Sequence, residues 1–239
     1  MPPPITLALT VAGAVLFDWN NTLVRFTWDD ELLEAGHRAG LEELGRGDEA
    51  DAFTARFRDE VLSRMTPADD YGELLRGLLG PLTDEQVDRF VDAEHEAWRP
   101  AHALLGTAHA LLDALRERGL KTAVVANAWP EPGRVLRRDL ADFGLAERLD
   151  AAVFSTDLGV RKPDPRIFLH ALETLGVDPL DALHVGDRLV EDVQGAAEVG
   201  MTTVQALWFR ADDTPASVEP DFLAFTPMDV LNAVARLSS

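Results

Sequence analysis

The stretch VLFDWNNTLV, residues 15–24, decides how the chain is read. Its first half closes the apolar run AGAVLF (12–17), continuous and rich in small and branched residues, the pattern of a strand buried on both faces of a parallel sheet. The second half turns polar at once. Asp18 therefore stands just beyond the carboxyl end of a strand, where open α/β sheets bind their ligands. Two residues on, Asn20 is an amide where a second acid would complete a proton-transferring pair.

Outward from this strand the chain alternates, stops alternating and resumes. Between about Thr27 and Trp98 only helical signals occur, over 28–44, 48–65, 71–80 and 83–98, the last opened by Thr83 and Gln86 at capping-box spacing. After Pro100 the rhythm returns: helix 102–119, strand 121–127, helix 131–144, strand 150–156, helix 164–176, strand 181–187, helix 191–200 and strand 202–207. The tail 220–237 adds a short strand and a helix. This order predicts an α/β fold, a Rossmann-like parallel sheet with helices on both faces, formed by residues 1–24 and 100–239. A small all-helical unit, residues 25–99, is inserted after the first strand.

Composition narrows the function classes. With 239 residues, 46% of them hydrophobic, the chain can bury one substantial core plus a smaller accessory unit. Lys and Arg number 22 against 42 Asp and Glu, a net charge of −20 that repels phosphate backbones and anionic lipid, so neither nucleic acid nor membrane is expected as a partner. The absence of cysteine excludes a disulfide framework, a thiolate metal site and a cysteine nucleophile. The apolar run from Ile5 to Phe17 lacks a basic flank and passes directly into FDWNNTL, so it reads as mature sequence and a cytoplasmic location is expected.

Four strand ends or the loops near them carry chemistry: Asp18, Asn127, Lys162 and Asp187. Taken singly, an Asp after a strand is usually a cap or turn residue, a lysine is usually solvated, and an Asn is a turn former. Four such groups in this order on one sheet weaken that bland reading.

Together these residues resemble the haloacid dehalogenase superfamily of hydrolases, most of whose members are magnesium-dependent phosphatases. FDWNNTLV is similar to the first motif of that family (D-x-D-x-T), VVANA to the second, RKPDPRIF to the third and HVGDRLVEDVQGA to the fourth. The helical insert falls where the family carries a cap that closes over the site. The resemblance implies that Asp18 attacks phosphorus to give an aspartyl phosphate. It implies that Mg²⁺ is held by Asp18, the main-chain carbonyl of Asn20 and Asp187, and that Lys162 neutralises the phosphoryl oxygens. Thr22 would brace the loop after the nucleophile, and Asn127 and Ala126 belong to the motif that lines the phosphate site. Asp192 would be an outer or additional metal ligand, although an acid in the first turn of a helix explains it almost as well.

Two positions depart from the family pattern. Asn20 replaces the acid that protonates the leaving alcohol and activates water, a loss of about 10²–10⁴-fold. Ala126 lacks the hydroxyl usual at the end of the second motif's strand. His184 lies within its strand and reads as a packed core residue, whereas His102 and His109 read as structural residues two turns apart on one helix face. Three readings follow. The favoured one is a phosphohydrolase for a small phosphorylated metabolite whose leaving group needs little protonation. A non-enzymatic binding or regulatory protein is the alternative. Dehalogenation comes last, because HVGD carries the Gly-Asp metal signature of phosphatases. Arg25, Phe26, Trp28 and Trp129 are candidates for the entrance to the site, Arg25 foremost as an anion contact. A monomer or homodimer is expected.

Overall fold

The computed structural model describes residues 13–64, 70–128 and 132–237. Most of the N-terminal apolar run, the end of the second insert helix at Met65 and the entrance candidate Trp129 lie outside these residues.

Strand β1 (Ala14–Phe17) is the centre of the architecture, and all four of its side chains are fully buried. Alternation decides what each one meets. Val15 and Phe17 point into a cluster with Leu111, Leu112 and Leu115 on one face of the sheet, and Ala14 and Leu16 into a cluster with Ile167, Phe168 and Leu172 on the other. A strand covered on both faces has no place for polar side chains, which is why its sequence reads as an unbroken apolar run.

The other sheet strands are β4 (Lys121–Ala126), β5 (Ala151–Phe154), β6 (Ala182–Gly186), β7 (Thr202–Ala206) and β8 (Phe222–Ala224). The sheet runs β5-β4-β1-β6-β7-β8, and every pair is parallel. Between them lie α5 (Ala108–Glu117), α6 (Gly133–Asp142), α7 (Ser155–Leu158), α8 (Pro165–Leu175) and α9 (Gly195–Glu198), with α10 (Asp229–Leu237) at the end. This is the expected α/β Rossmann-like core.

The helices between the two parts of the core are α1 (Asp30–Glu43), α2 (Ala50–Glu60), α3 (Tyr71–Leu79) and α4 (Asp84–Trp98). Thr83 and Gln86 form the capping box that opens α4. These helices bury an apolar cluster, with Leu41, Phe53, Phe57, Leu75 and Phe90 at its heart, which Val135 of α6 joins. Gly40 lets α1 lie directly on α4, because a β-carbon there would run into the Phe90 ring.

The strand expected over 150–156 ends at Phe154, where α7 begins, and two larger local expectations change as well. The span 102–119 is not one helix: His102–Leu104 is strand β3, paired antiparallel with β2 (Val24–Phe26), and helix α5 begins only at Ala108. The ribbon is a long-range pairing, so apolar periodicity within 102–119 could not reveal it. His102 and His109 therefore do not share a helix face. His102 bonds the carbonyl of Trp98 through Nδ1 at 3.1 Å, and His109 bonds that of Phe143 through Nε2 at 2.7 Å. The second change concerns 191–200. The helical segment starts earlier, as a wide π-type turn over Leu189–Gln194 that runs into α9. Such turns are frequent at functional sites, and this one carries the buried Asp192.

Candidate active site

The chain leaves β1 at Asp18, whose backbone N–H donates to the Val185 carbonyl at 2.9 Å. It then folds into a tight loop in which the N–H groups of Leu23 and Val24 donate to the Trp19 carbonyl. Asn21 takes a left-handed conformation, φ 59°, which Asn tolerates better than most residues. The Thr22 carbonyl accepts from Trp208 Nε1 at 3.0 Å, which ties the loop to the segment after β7.

Beyond the ends of β1 and β6, three carboxylates converge. Asp18, Asp187 and Asp192 are all buried, and one oxygen of each lies within 4.8 Å of the others. Lys162 enters from the loop before α8. Its Nζ, also buried, donates to Asp18 Oδ1 and Asp192 Oδ1 at 2.5 Å each. Burial works against the lysine's charge, but Asp18 and Asp192 outweigh it and hold the ammonium protonated above its usual range. Asp192 stays ionised, held below the usual carboxylate range: burial opposes this, and Lys162 and the hydrogen bond from His184 overcome it. For Asp18, burial pushes the carboxyl up to about 7 while Lys162 pulls the other way. Asp187 is raised as well, by burial and then by Asp192, with Arg210 opposing.

The three acids are not equivalent. Asp192 has both oxygens engaged, Oδ1 by Lys162 and His184 and Oδ2 by the Arg188 N–H at 3.0 Å. Asp18 Oδ2 and Asp187 Oδ1 have no hydrogen-bond donor among the described residues. An all-oxygen set with more negative than positive charge suits a small hard cation, which would offset the burial and the mutual repulsion that raise Asp18 and Asp187. The free oxygens of Asp18 and Asp187 fit Mg²⁺, whereas both oxygens of Asp192 are already engaged.

The remaining candidates fall at different distances from this cluster. Asn127 does not touch the carboxylates. Its side chain binds the backbone of Lys162, Oδ1 accepting from the N–H at 2.7 Å and Nδ2 donating to the carbonyl at 3.0 Å. Ala126 is the buried last residue of β4 and offers no hydroxyl. Asn20 Oδ1 and Thr22 Oγ1 are buried without a hydrogen-bond partner among the described residues. Arg25 is exposed on β2, opposite Ala103, and shares no ion pair with the cluster. Phe26 and Trp28 pack on Trp98, with centroids 5.8 and 5.3 Å away.

Two residues of the site were not read from the sequence as such. Arg210, in the loop after β7, donates through Nε to Asp187 Oδ2. No local pattern marks it, because its partner lies 23 residues back along the chain. His184 is buried as expected, edge-on to Phe168, but its Nε2 also reaches Asp192 Oδ1 at 3.0 Å. The signal was present: a polar residue inside an otherwise apolar strand.

Comparison with known proteins agrees with this geometry. The family described as haloacid dehalogenase-like hydrolase matches residues 12–200. A glyceraldehyde 3-phosphate phosphatase of Pyrococcus abyssi is 32% identical over 206 residues, covering 82% of this chain and 80% of the relative. A phosphoserine phosphatase of Thermus thermophilus is 33% identical over 230 residues, covering 79% and 90%. Among solved structures, a HAD phosphatase from Thermococcus onnurineus superposes with a TM-score of 0.65 at 27% identity, covering 93% of this chain and 97% of that one. The buried acids and lysine beyond the sheet, together with these matches, lead to one assignment: the chain belongs to the haloacid dehalogenase-like hydrolase family, in its phosphatase branch.

Proposed function

We propose that the protein is a Mg²⁺-dependent phosphatase acting on a small phosphorylated metabolite through an aspartyl phosphate at Asp18. The observation that carries this reading is the buried Lys162 ammonium bonded at 2.5 Å to both Asp18 and Asp192, with Asp187 alongside. The relatives that act on glyceraldehyde 3-phosphate and phosphoserine support the substrate class. With a net charge of −20, the protein does not steer anions over long range, so a small substrate is drawn in locally. We place the activity in the cytoplasm.

In this reading Asp18 Oδ2 attacks phosphorus in line, the bond to the leaving oxygen breaks, and the leaving group carries away the electron pair. Lys162 holds its positive charge against Asp18 and the phosphoryl oxygens throughout. Bound at Asp18, Asp187 and the Asn20 carbonyl, Mg²⁺ would neutralise charge on the transferring group. Water then attacks phosphorus, the P–O bond to Asp18 breaks with its electron pair returning to the carboxylate, and the water's protons leave with the inorganic phosphate.

Asn20 cannot give a proton to the leaving oxygen or take one from water. The leaving groups of acyl phosphates, aryl phosphates and phosphoanhydrides depart without full protonation, so these substrates should turn over faster than alkyl phosphates such as those the named relatives act on. The helical insert acts as a cap that excludes water and selects the metabolite. Phosphate release from acetyl phosphate and p-nitrophenyl phosphate, with Mg²⁺ and with EDTA, tests the proposal, using Asp18→Asn as the blank. Release above the blank that EDTA abolishes and Mg²⁺ restores supports it. Native protein indistinguishable from Asp18→Asn overturns it.

A further inference from the structure

His184 occupies the middle of β6, with register neighbours Leu16 on β1 and Thr203 on β7, and is 1% exposed. Apolar side chains serve that position at no cost in buried polarity, so the imidazole needs a reason. Its partner supplies one. Nε2 lies 3.0 Å from Asp192 Oδ1, the oxygen that also accepts from Lys162 Nζ at 2.5 Å, and the same Nζ reaches Asp18 Oδ1 at 2.5 Å. The four groups form one buried chain from the interior of the sheet to the nucleophile.

The direction of the first link follows from the others. A carboxylate that takes the Lys162 ammonium and the Arg188 N–H acts as an acceptor, so Nε2 must carry the hydrogen. Nδ1 is buried without a hydrogen-bond partner among the described residues, in a ring that packs edge-on to Phe168. A bare lone pair there is tolerable, whereas an N–H would be an unsatisfied buried donor. The backbone is shaped to allow the contact: a β-carbon on Gly186 would overlap the Asp192 side chain, so glycine at the end of β6 lets Asp192 reach back under the strand.

We propose that His184 is a positioning residue for phosphoryl transfer: its Nε2–H pins Asp192 Oδ1, and the pinned oxygen sets Lys162 Nζ against Asp18. The proposal rests on the phosphatase reading above but concerns a residue outside the four family motifs' reacting groups. Loss of an outer hydrogen bond of this kind typically lowers activity about 10–100-fold.

The test combines kinetics with a spectroscopic readout. His184→Leu and His184→Phe remove the donor, and His184→Gln keeps one. With acetyl phosphate and Mg²⁺, the first two are expected to lose about 10–100-fold in kcat with KM changed less than about threefold, and His184→Gln to recover part of the loss. A purely packing role predicts instead a lowered Tm, with kcat per folded molecule unchanged and no advantage for Gln. In ¹⁵N-histidine-labelled native protein, with the His184 signals assigned by their absence from His184→Gln, long-range ¹H–¹⁵N correlation is expected to show the Nε2–H tautomer. Its Nε2 resonance should move in Asp192→Asn.

An Nδ1–H tautomer, or full kcat in folded His184→Leu, overturns the proposal. Should the apolar variants fail to fold, the tautomer and the kcat of His184→Gln decide. Native protein inactive on every substrate overturns the phosphatase reading itself, a result distinct from an active enzyme indifferent to His184.

Discussion

Asn127 and Lys162 sit 35 residues apart in sequence, yet the Asn127 side chain binds both backbone polar groups of the lysine, at 2.7 and 3.0 Å. An amide is the one neutral side chain that accepts and donates in this paired fashion. The end of β4 thereby sets the height of the loop that delivers the ammonium to Asp18. Asn127→Ala is expected to lower kcat about 10²-fold on acetyl phosphate through misplacement of Lys162. Asn127→Asp, which keeps only the acceptor, should fall between. Steady-state kinetics of the two variants check the order.

Restoring the acid at position 20 isolates the missing proton relay. Asn20→Asp is expected to raise turnover of an alkyl phosphate such as glycerol phosphate by about 10²–10⁴-fold. On acetyl phosphate the first step, read from the pre-steady-state burst, should gain much less, because that leaving group needs little help. Equal gains in that first step on both substrates would place the defect elsewhere. Burst kinetics add a second check: in the native protein a phosphoenzyme slow to hydrolyse should accumulate.

The helical unit has a built-in acid sensitivity. His37 is fully buried, bonds Thr54 Oγ1 through Nδ1 at 2.8 Å and packs edge-on against Phe53 and Phe57. Burial, with a smaller contribution from Arg58, pushes its pKa from 6.5 down to about 3. Glu94 Oε1 lies 3.4 Å from Nε2 but out of hydrogen-bonding line, and does not reverse this. The unfolded chain then binds a proton that the folded chain refuses. Stability from the neutral ring is complete above about pH 6.5 and falls as pH drops towards 3, by up to about 1.4 kcal/mol per unit. His37→Gln should flatten the Tm profile over that window relative to native protein, and parallel profiles would refute the account.

Where α4 meets α6, buried polar groups lie beside Val135, which joins the apolar cluster of the helices. His95 on α4 meets Asp139 on α6 through Nε2 and Oδ1 at 2.9 Å, both buried, while Arg134 joins Asp88 and Asp92 nearby. His95→Leu leaves the Asp139 carboxylate in a buried setting without this donor. The expected cost is about 2–4 kcal/mol, read from urea unfolding. Arg134→Ala, on the exposed rim, should cost about 1 kcal/mol or less.

The sequence by itself determined the strand–helix alternation, the place of the helical insert, and the order in which Asp18, Asn127, Lys162 and Asp187 reach the ends of their strands or the loops beyond. These are local properties: a buried strand writes itself as an apolar run, a helix as a 3.6-residue period, and a family motif as contiguous residues. The β2–β3 ribbon, the grip of Asn127 on Lys162, the reach of Arg210 to Asp187 and the bond from His184 to Asp192 were decided only in three dimensions. Lys162 and Asp18 are 144 residues apart, and no periodicity encodes which atom of one meets which atom of the other. The contact arises because parallel strands bring their carboxyl ends to one edge, where buried charges must find partners or stay uncompensated.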